Sequence, residues 1–318
     1  MKDFLKLIRL PNLLIIPLVQ YSMRYCIIEP ILQINGFELQ LSNFDFLILV
    51  LSTVFLAAAG YIINDYFDRK IDMLNRPSKV IVGKKVNQRT VMIWHILLNI
   101  FGVLMGIYLA YITKLHILIL VYFIVAGLFW YYSTTYKRQF LIGNIIVSFL
   151  ASLVPLQVVL YEIVLLNQAY KEILIQYQMD FTNIVYWVGG FSYFAFISNL
   201  IREIIKDTED FEGDNAYGRN TMPVIIGIPF SKFVVIILIL FTNLSLAYIY
   251  HKFLNDNITF WYFLITLIIP FFTTIYLIIR AINKRDYHII STLVKFIMLF
   301  GILYSFIARY LIIDKFNF

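Results

Sequence analysis

The sequence predicts an all-helical, polytopic membrane protein, and three observations carry that prediction. The first is composition: 61% of the 318 residues are hydrophobic and 14% are charged, whereas a soluble domain sits nearer half apolar and a quarter charged. The second is the length of the apolar runs, which exceed what a buried globular helix needs and approach the roughly 20 residues of a bilayer-crossing helix. The third is the crowding of Lys and Arg into the segments between runs, as in cytoplasmic loops. That bias accounts for the net charge of +7, so a nucleic-acid partner is not expected. The single cysteine, Cys26, excludes an intramolecular disulfide and a cysteine-only metal cluster. The basic N-terminus leads into an apolar segment without a small-residue cleavage site, which reads as a first span rather than a signal peptide. One integrated domain, residues 1–318, is expected.

Nine spans are predicted in order: Pro11–Ile28, Phe44–Ile63, Val91–Ile112, Leu115–Tyr136, Phe140–Val164, Phe181–Ile205, Phe230–Tyr250, Phe260–Ile282 and Ile289–Ile313. Pro17, Pro155 and Pro270 fall inside spans and read as kinks. Residues 165–180 are polar and amphipathic and read as a surface segment. With the N-terminus in the cytoplasm, 19 of the 26 Lys and Arg residues lie on the inner side and 5 on the outer, leaving Lys295 and Arg309 in the ninth span. This asymmetry predicts a cytoplasmic N-terminus and an outer C-terminus, in a cell inner membrane. Trp94, Trp130, Trp187 and Trp261 fit an aromatic belt. The four histidines lack metal-ligand spacing and read as packing or interfacial residues.

Two acidic stretches interrupt this pattern, both on the predicted cytoplasmic side. The first, Asn64-Asp65-Tyr66-Phe67-Asp68-Arg69-Lys70-Ile71-Asp72, follows the second span. If the helix continues through it, Asn64, Asp68 and Asp72 share one face at i, i+4 and i+8, and Asp65 falls off that face. The second follows the sixth span and contains Asp207, Glu209, Asp210, Glu212 and Asp214. The stretches are four spans apart, so their helices run the same way, as in a parallel repeat of two halves. Together they hold 8 of the chain's 19 acids. Facing carboxylates repel unless cations neutralise them; as separate loops they would simply be solvated.

Clustered oxygen ligands suit Mg²⁺, which favours a few carboxylates completed by phosphate oxygens. Arg69, Lys70, Arg76, Lys79, Lys137, Arg138, Arg202, Lys206 and Arg219 lie close in sequence and could neutralise a diphosphate. An apolar interior rich in Phe and Tyr, 29 and 23 of them, could hold a long hydrocarbon tail. Those properties together describe a polyprenyl diphosphate. Departure of the diphosphate would leave an allylic cation, which aromatic faces stabilise and exclusion of water protects. Tyr131 and Tyr132, beside the basic turn, are the aromatic candidates. The rival is a transporter with acidic vestibules; it would place its ionisable groups near the midplane rather than at one face.

These residues resemble the UbiA superfamily of intramembrane prenyltransferases. Asn64, Asp65, Asp68 and Asp72 match its N-D-x-x-D-x-x-x-D motif, and Asn75-Arg76-Pro77 is similar to the R-P that follows. Asp207, Asp210 and Asp214 match the second Asp-rich motif, with Gly218 and Thr221-Met222-Pro223 resembling its G-x-x-T-L-P tail. Tyr132-Ser133 with Lys137-Arg138 resembles the Tyr…Lys-Arg turn. The resemblance implies Mg²⁺-dependent prenyl transfer to a lipophilic acceptor. It makes Asn64, Asp68, Asp72, Asp210 and Asp214 the metal-diphosphate residues, with Asp207 and Lys206 auxiliary and Lys137, Arg138, Arg202 and Arg76 diphosphate contacts. Around the second motif the chain looks most like the geranylgeranylglyceryl phosphate geranylgeranyltransferase branch. Arg9-Leu10-Pro11-Asn12 is similar to that branch's Arg-Pro-x-Asn, interrupted by Leu10; Asn12, near the first span's cytoplasmic end, reads either as an acceptor contact or as a buried Asn bonding a neighbouring helix. Aromatic acceptors, of the quinone or chlorophyll-precursor type, remain open.

Overall fold

The computed structural model describes residues 2–75, 77–78 and 80–315. Arg76, expected to contact substrate, and Lys79 lie outside them. The described residues form helices and turns, with an isolated bridge between Val82 and Val86 and no strand. Seven helices are long and apolar enough to cross a membrane: Asn43–Asn75, Gln88–Ile112, Ile142–Ala169, Thr182–Glu209, Ile228–Leu254, Asn257–Arg280 and Lys284–Ile313. Each coincides with a predicted span. The predicted fourth span is the shorter apolar helix Leu118–Thr134. The predicted first span is a broken run: Leu10–Leu13, Ile15–Ser22, a π turn at Met23–Ile28 and Glu29–Ile34. Nine crossings therefore require counting these two segments with the seven.

Proline explains part of the irregularity. A proline lacks the N–H that would bond the carbonyl four residues back. Pro30 frees the carbonyl of Cys26 and Pro270 that of Thr266. Both residues lie in π turns, Met23–Ile28 and Leu264–Ile268. The wider turn is how the ladder absorbs the missing donor.

By packing, the chain divides into two units. The first holds Met1–Lys137 and Val154–Val188; the second holds Arg138–Leu153 and Gly189–Phe318. In the first unit, Asn43–Asn75, Gln88–Ile112 and Leu118–Thr134 pack against one another through missing side chains. A Cβ on Gly106 would lie 2.4 Å from the Tyr122 ring, and one on Gly60 2.5 Å from Phe129. Ser52 Oγ donates to the Gly102 carbonyl at 2.7 Å, a polar tie between two spans. The N-terminal segment is seated by a cluster of Leu7, Ile8, Leu13, Ala58, Ile62, Val82 and Val91. Phe4 meets Trp94 edge-on at 4.8 Å. The outward residues of Gln88–Ile112, including Ile93, Leu97, Phe101 and Leu104, are exposed, as suits a hydrocarbon surround.

The same unit buries an ion pair. Arg24 and Glu162, 2% and 1% exposed, meet at 3.2 Å. Glu162 also accepts from the backbone N–H groups of Gln40 and Leu41, and Arg24 donates to the Leu41 carbonyl and stands 4.5 Å from the Phe46 ring centroid. In the second unit, Gly301 lets the Phe194 ring approach to 2.2 Å of where a Cβ would stand. Thr259 Oγ1 and the Tyr304 hydroxyl share a buried hydrogen bond of 2.8 Å.

Candidate active site

The helix Asn43–Asn75 runs without a break through the first acidic stretch, so Asn64, Asp68 and Asp72 rise on successive turns of one face as their spacing predicts. Ser42 starts it, its hydroxyl accepting from the Asp45 N–H at 3.1 Å. Asn64 and Asp68 are buried, and Asp72 is half-buried. Lys137, on the one-turn 3₁₀ helix Tyr136–Arg138, brings its ammonium into this face. Its Nζ donates to Asn64 Oδ1 at 3.0 Å and forms an ion pair with Asp68 Oδ2. Lys137, expected as a diphosphate contact, thus lies against the first acidic stretch.

Asp65 has a different partner. Arg9 donates to Asp65 Oδ1 at 2.6 Å and stands 5.1 Å from the Tyr61 ring centroid. Arg9 has φ 53 and ψ 53, left-handed values unusual for a residue with a Cβ, and sits where Lys2–Leu7 ends and Leu10–Leu13 begins. Asn12 lies on that second short helix, its N–H bonded to the Arg9 carbonyl at 2.8 Å. Tyr132 is half-buried on the last turn of Leu118–Thr134.

In the second unit, Thr182–Glu209 ends inside the second acidic stretch, Asp210 turns the chain, and Phe211–Ala216 follows as a short helix. Asp210 caps the short helix that carries Asp214, whose N–H bonds the Asp210 carbonyl at 3.1 Å, so the break separates these two from Asp207 on the long helix. Arg202 and Lys206 both bond Glu203, at 2.9 Å each. Asp207 accepts from Asn144 Nδ2 at 2.8 Å. Lys284 approaches Asp210 to 3.6 Å, and His288 Nδ1 lies 3.1 Å from Glu209. Asp214 is buried against Arg219 at 3.3 Å, and the Arg219 N–H closes back on the Asp214 carbonyl. The turn runs through Gly218 at φ 64, which a glycine adopts without strain. Arg138 is exposed, and its carbonyl accepts from the Asn220 N–H at 2.9 Å.

The donors are amide and carboxylate oxygens. Among the described residues no group of three or more His, Cys, Asp or Glu is gathered to hold a metal unaided. Such a set fits Mg²⁺, which keeps waters and takes the rest of its shell from a phosphate-bearing ligand. It does not fit zinc, which wants a closed nitrogen or sulfur shell. Two of these oxygens, Asn64 Oδ1 and Asp68 Oδ2, already converge on the Lys137 ammonium.

Sequence reading missed Asn144, Lys284 and His288 as partners of the second stretch and Glu203 as the shared partner of Arg202 and Lys206. Only Glu203, three residues from Lys206 and four from Asp207, had a local signal.

Comparison with known proteins bears on the fold and the family. A relative from Methanothermobacter thermautotrophicus, a digeranylgeranylglyceryl phosphate synthase, is 32% identical over 191 residues, which cover 59% of this chain and 59% of that protein. The match thus spans less than two thirds of the relative. A digeranylgeranylglyceryl phosphate synthase structure is similar with a TM-score of 0.64 and 21% identity, covering 98% of each chain. A UbiA homologue from Archaeoglobus fulgidus bound to GPP and Mg²⁺ is similar with a TM-score of 0.59 and 15% identity, covering 98% of this chain and 99% of that one. Both likenesses concern the fold. The sequence profile of the UbiA prenyltransferase family matches residues 37–299, a segment that includes both acidic stretches and the basic turn. The chain belongs to the UbiA prenyltransferase family.

Proposed function

We propose that this integral membrane protein transfers a prenyl group, with geranylgeranyl as the first choice, from its diphosphate to a lipophilic acceptor, with geranylgeranylglyceryl phosphate as the first acceptor to test. The observation that carries the reading is the buried face of Asn64 and Asp68 at the end of an apolar helix, with the Lys137 ammonium bonded to both. The relative named digeranylgeranylglyceryl phosphate synthase supports the acceptor, and the homologue holding GPP and Mg²⁺ supports the donor and the metal. The family match draws on residues of both units, which supports one prenyltransferase domain.

In this reading Asn64, Asp68, Asp72, Asp207, Asp210 and Asp214 hold the metal and the diphosphate. Lys137, Arg138, Arg202, Lys206 and Arg76 offset the diphosphate charge, and Tyr132 and Asn12 contact substrate. Mg²⁺, when bound, neutralises charge on the departing diphosphate. The allylic C–O bond breaks with both electrons going to the diphosphate. The acceptor hydroxyl oxygen then bonds the allylic carbon and releases its proton to solvent. The apolar surround excludes water from the cation. The N-terminus lies in the cytoplasm of a cell bounded by an inner membrane, the C-terminus outside, and the reaction near the cytoplasmic face; the asymmetry of Lys and Arg supports this orientation.

The test uses purified protein, radiolabelled geranylgeranyl diphosphate, Mg²⁺, and geranylgeranylglyceryl phosphate beside aromatic acceptors. Label transferred to the glycerol lipid, and lost with EDTA, is expected. Transfer to an aromatic acceptor alone would replace the acceptor, and no transfer to any acceptor would overturn the reading.

A further inference from the structure

We propose that Lys137 is an exchangeable counter-cation: its ammonium holds the oxygens of Asn64 and Asp68 until a divalent cation displaces it, and the released ammonium then engages the diphosphate. This rests on the function proposed above. The Asp68 side chain is 5% exposed, and a buried carboxylate without a cation is strongly unfavourable. The chain supplies that cation from a short turn between two helices, with the Lys137 side chain 24% exposed. Lys137 and a metal on the same two oxygens would stand within a few ångströms of each other, and like charges that close in a partly buried face repel strongly. Binding of one therefore expels the other.

The residue types sort the two cations of this stretch. Arg9 bonds Asp65 through one guanidinium nitrogen and stands over Tyr61, on a left-handed backbone that is strained for a residue with a Cβ. Lys137 is a point charge on a flexible four-carbon stem, bonded to two acceptors on adjacent turns; it can swing without moving the backbone. Diphosphate gives the expelled ammonium a new partner, so diphosphate and metal should favour each other through it, and by the same factor in both directions.

Two measurements test this on the full-length chain in detergent. In the first, Mn²⁺ binding is titrated by electron paramagnetic resonance, with and without inorganic pyrophosphate, for wild type, Lys137→Met and Lys137→Arg. Lys137→Met should bind Mn²⁺ at least about fivefold more tightly than wild type without pyrophosphate. Pyrophosphate should enhance Mn²⁺ binding less in Lys137→Met than in wild type. Lys137→Arg should keep the weaker affinity of wild type. Equal or weaker Mn²⁺ binding by Lys137→Met, or equally tight binding by Lys137→Arg, would overturn the proposal. The second needs no variant. Acylation of Lys137 by an amine-reactive reagent, read by peptide mass spectrometry, should speed up with Mg²⁺ alone and slow again when pyrophosphate is added. Labelling that Mg²⁺ leaves unchanged or slows sinks the idea. A wild type that binds Mn²⁺ and transfers prenyl groups while these effects are missing refutes the exchange alone. A wild type that does neither refutes the proposed function with it.

Discussion

Asp65 and Asp68 sit three residues apart on one helix and answer to different partners. Asp68 faces Lys137 and Asn64, while Asp65 turns to Arg9. Asp68→Asn should therefore lower prenyl transfer by about 10²–10³-fold, the size of losing one charge-stabilising group. Asp65→Asn should cost less, and should leave the Mg²⁺ concentration for half-maximal rate near that of wild type. Initial rates across a Mg²⁺ series separate the two; equal losses would contradict this division. Arg24 and Glu162 make a second residue-scale case. Arg24→Met alone strands a buried carboxylate and should cost about 3–5 kcal/mol. The double change Arg24→Met with Glu162→Leu should cost less than Arg24→Met. Thermal unfolding in detergent measures both. The shared face of Asn64, Asp68 and Asp72 was legible because one helical period links them. The bond from Asn144 to Asp207 spans 63 residues of chain, and no local pattern announces such a pairing. Arg9 entered the sequence reading through its own motif, and its grip on Asp65 could not be read there.

At the scale of elements, the spans were legible because apolar runs are long and charged residues end them. Their interruptions were less so. The first predicted span breaks at a π turn, although Pro30, two residues past it, is visible in the sequence. The close packing of Asn43–Asn75, Gln88–Ile112 and Leu118–Thr134 rests on glycines whose partners appear only in three dimensions. Gly106→Ala would set a methyl 2.4 Å from a Tyr122 ring that its hydroxyl ties to Tyr161 at 3.0 Å. The ring cannot retreat freely, and the cost should be about 1–3 kcal/mol, seen as a lower melting temperature. Gly127→Ala, with nothing within 4 Å of the new methyl, should leave it unchanged or slightly higher.

For the whole molecule, the charge asymmetry makes a prediction that side-specific labelling can check. In a Cys26→Ser background, Lys171→Cys should react with a membrane-impermeant maleimide on intact cells. Ser78→Cys should react only after the cells are opened. The reverse pattern would invert the proposed orientation. Both positions are exposed, so access to them depends on the side of the membrane.

The unbroken helix Asn43–Asn75 has one more consequence. Its 33 residues make a rod of about 50 Å, against a hydrocarbon core of about 30 Å. The apolar stretch and the carboxylate face belong to that one rod, so it works as a depth gauge. A thicker bilayer would draw Asn64 and Asp68 towards the acyl chains, and a thinner one would lift them into the headgroups. Turnover in vesicles should then pass through an optimum as lipid acyl length is varied, and a flat profile from short to long chains would show that the rod floats free of the bilayer it crosses.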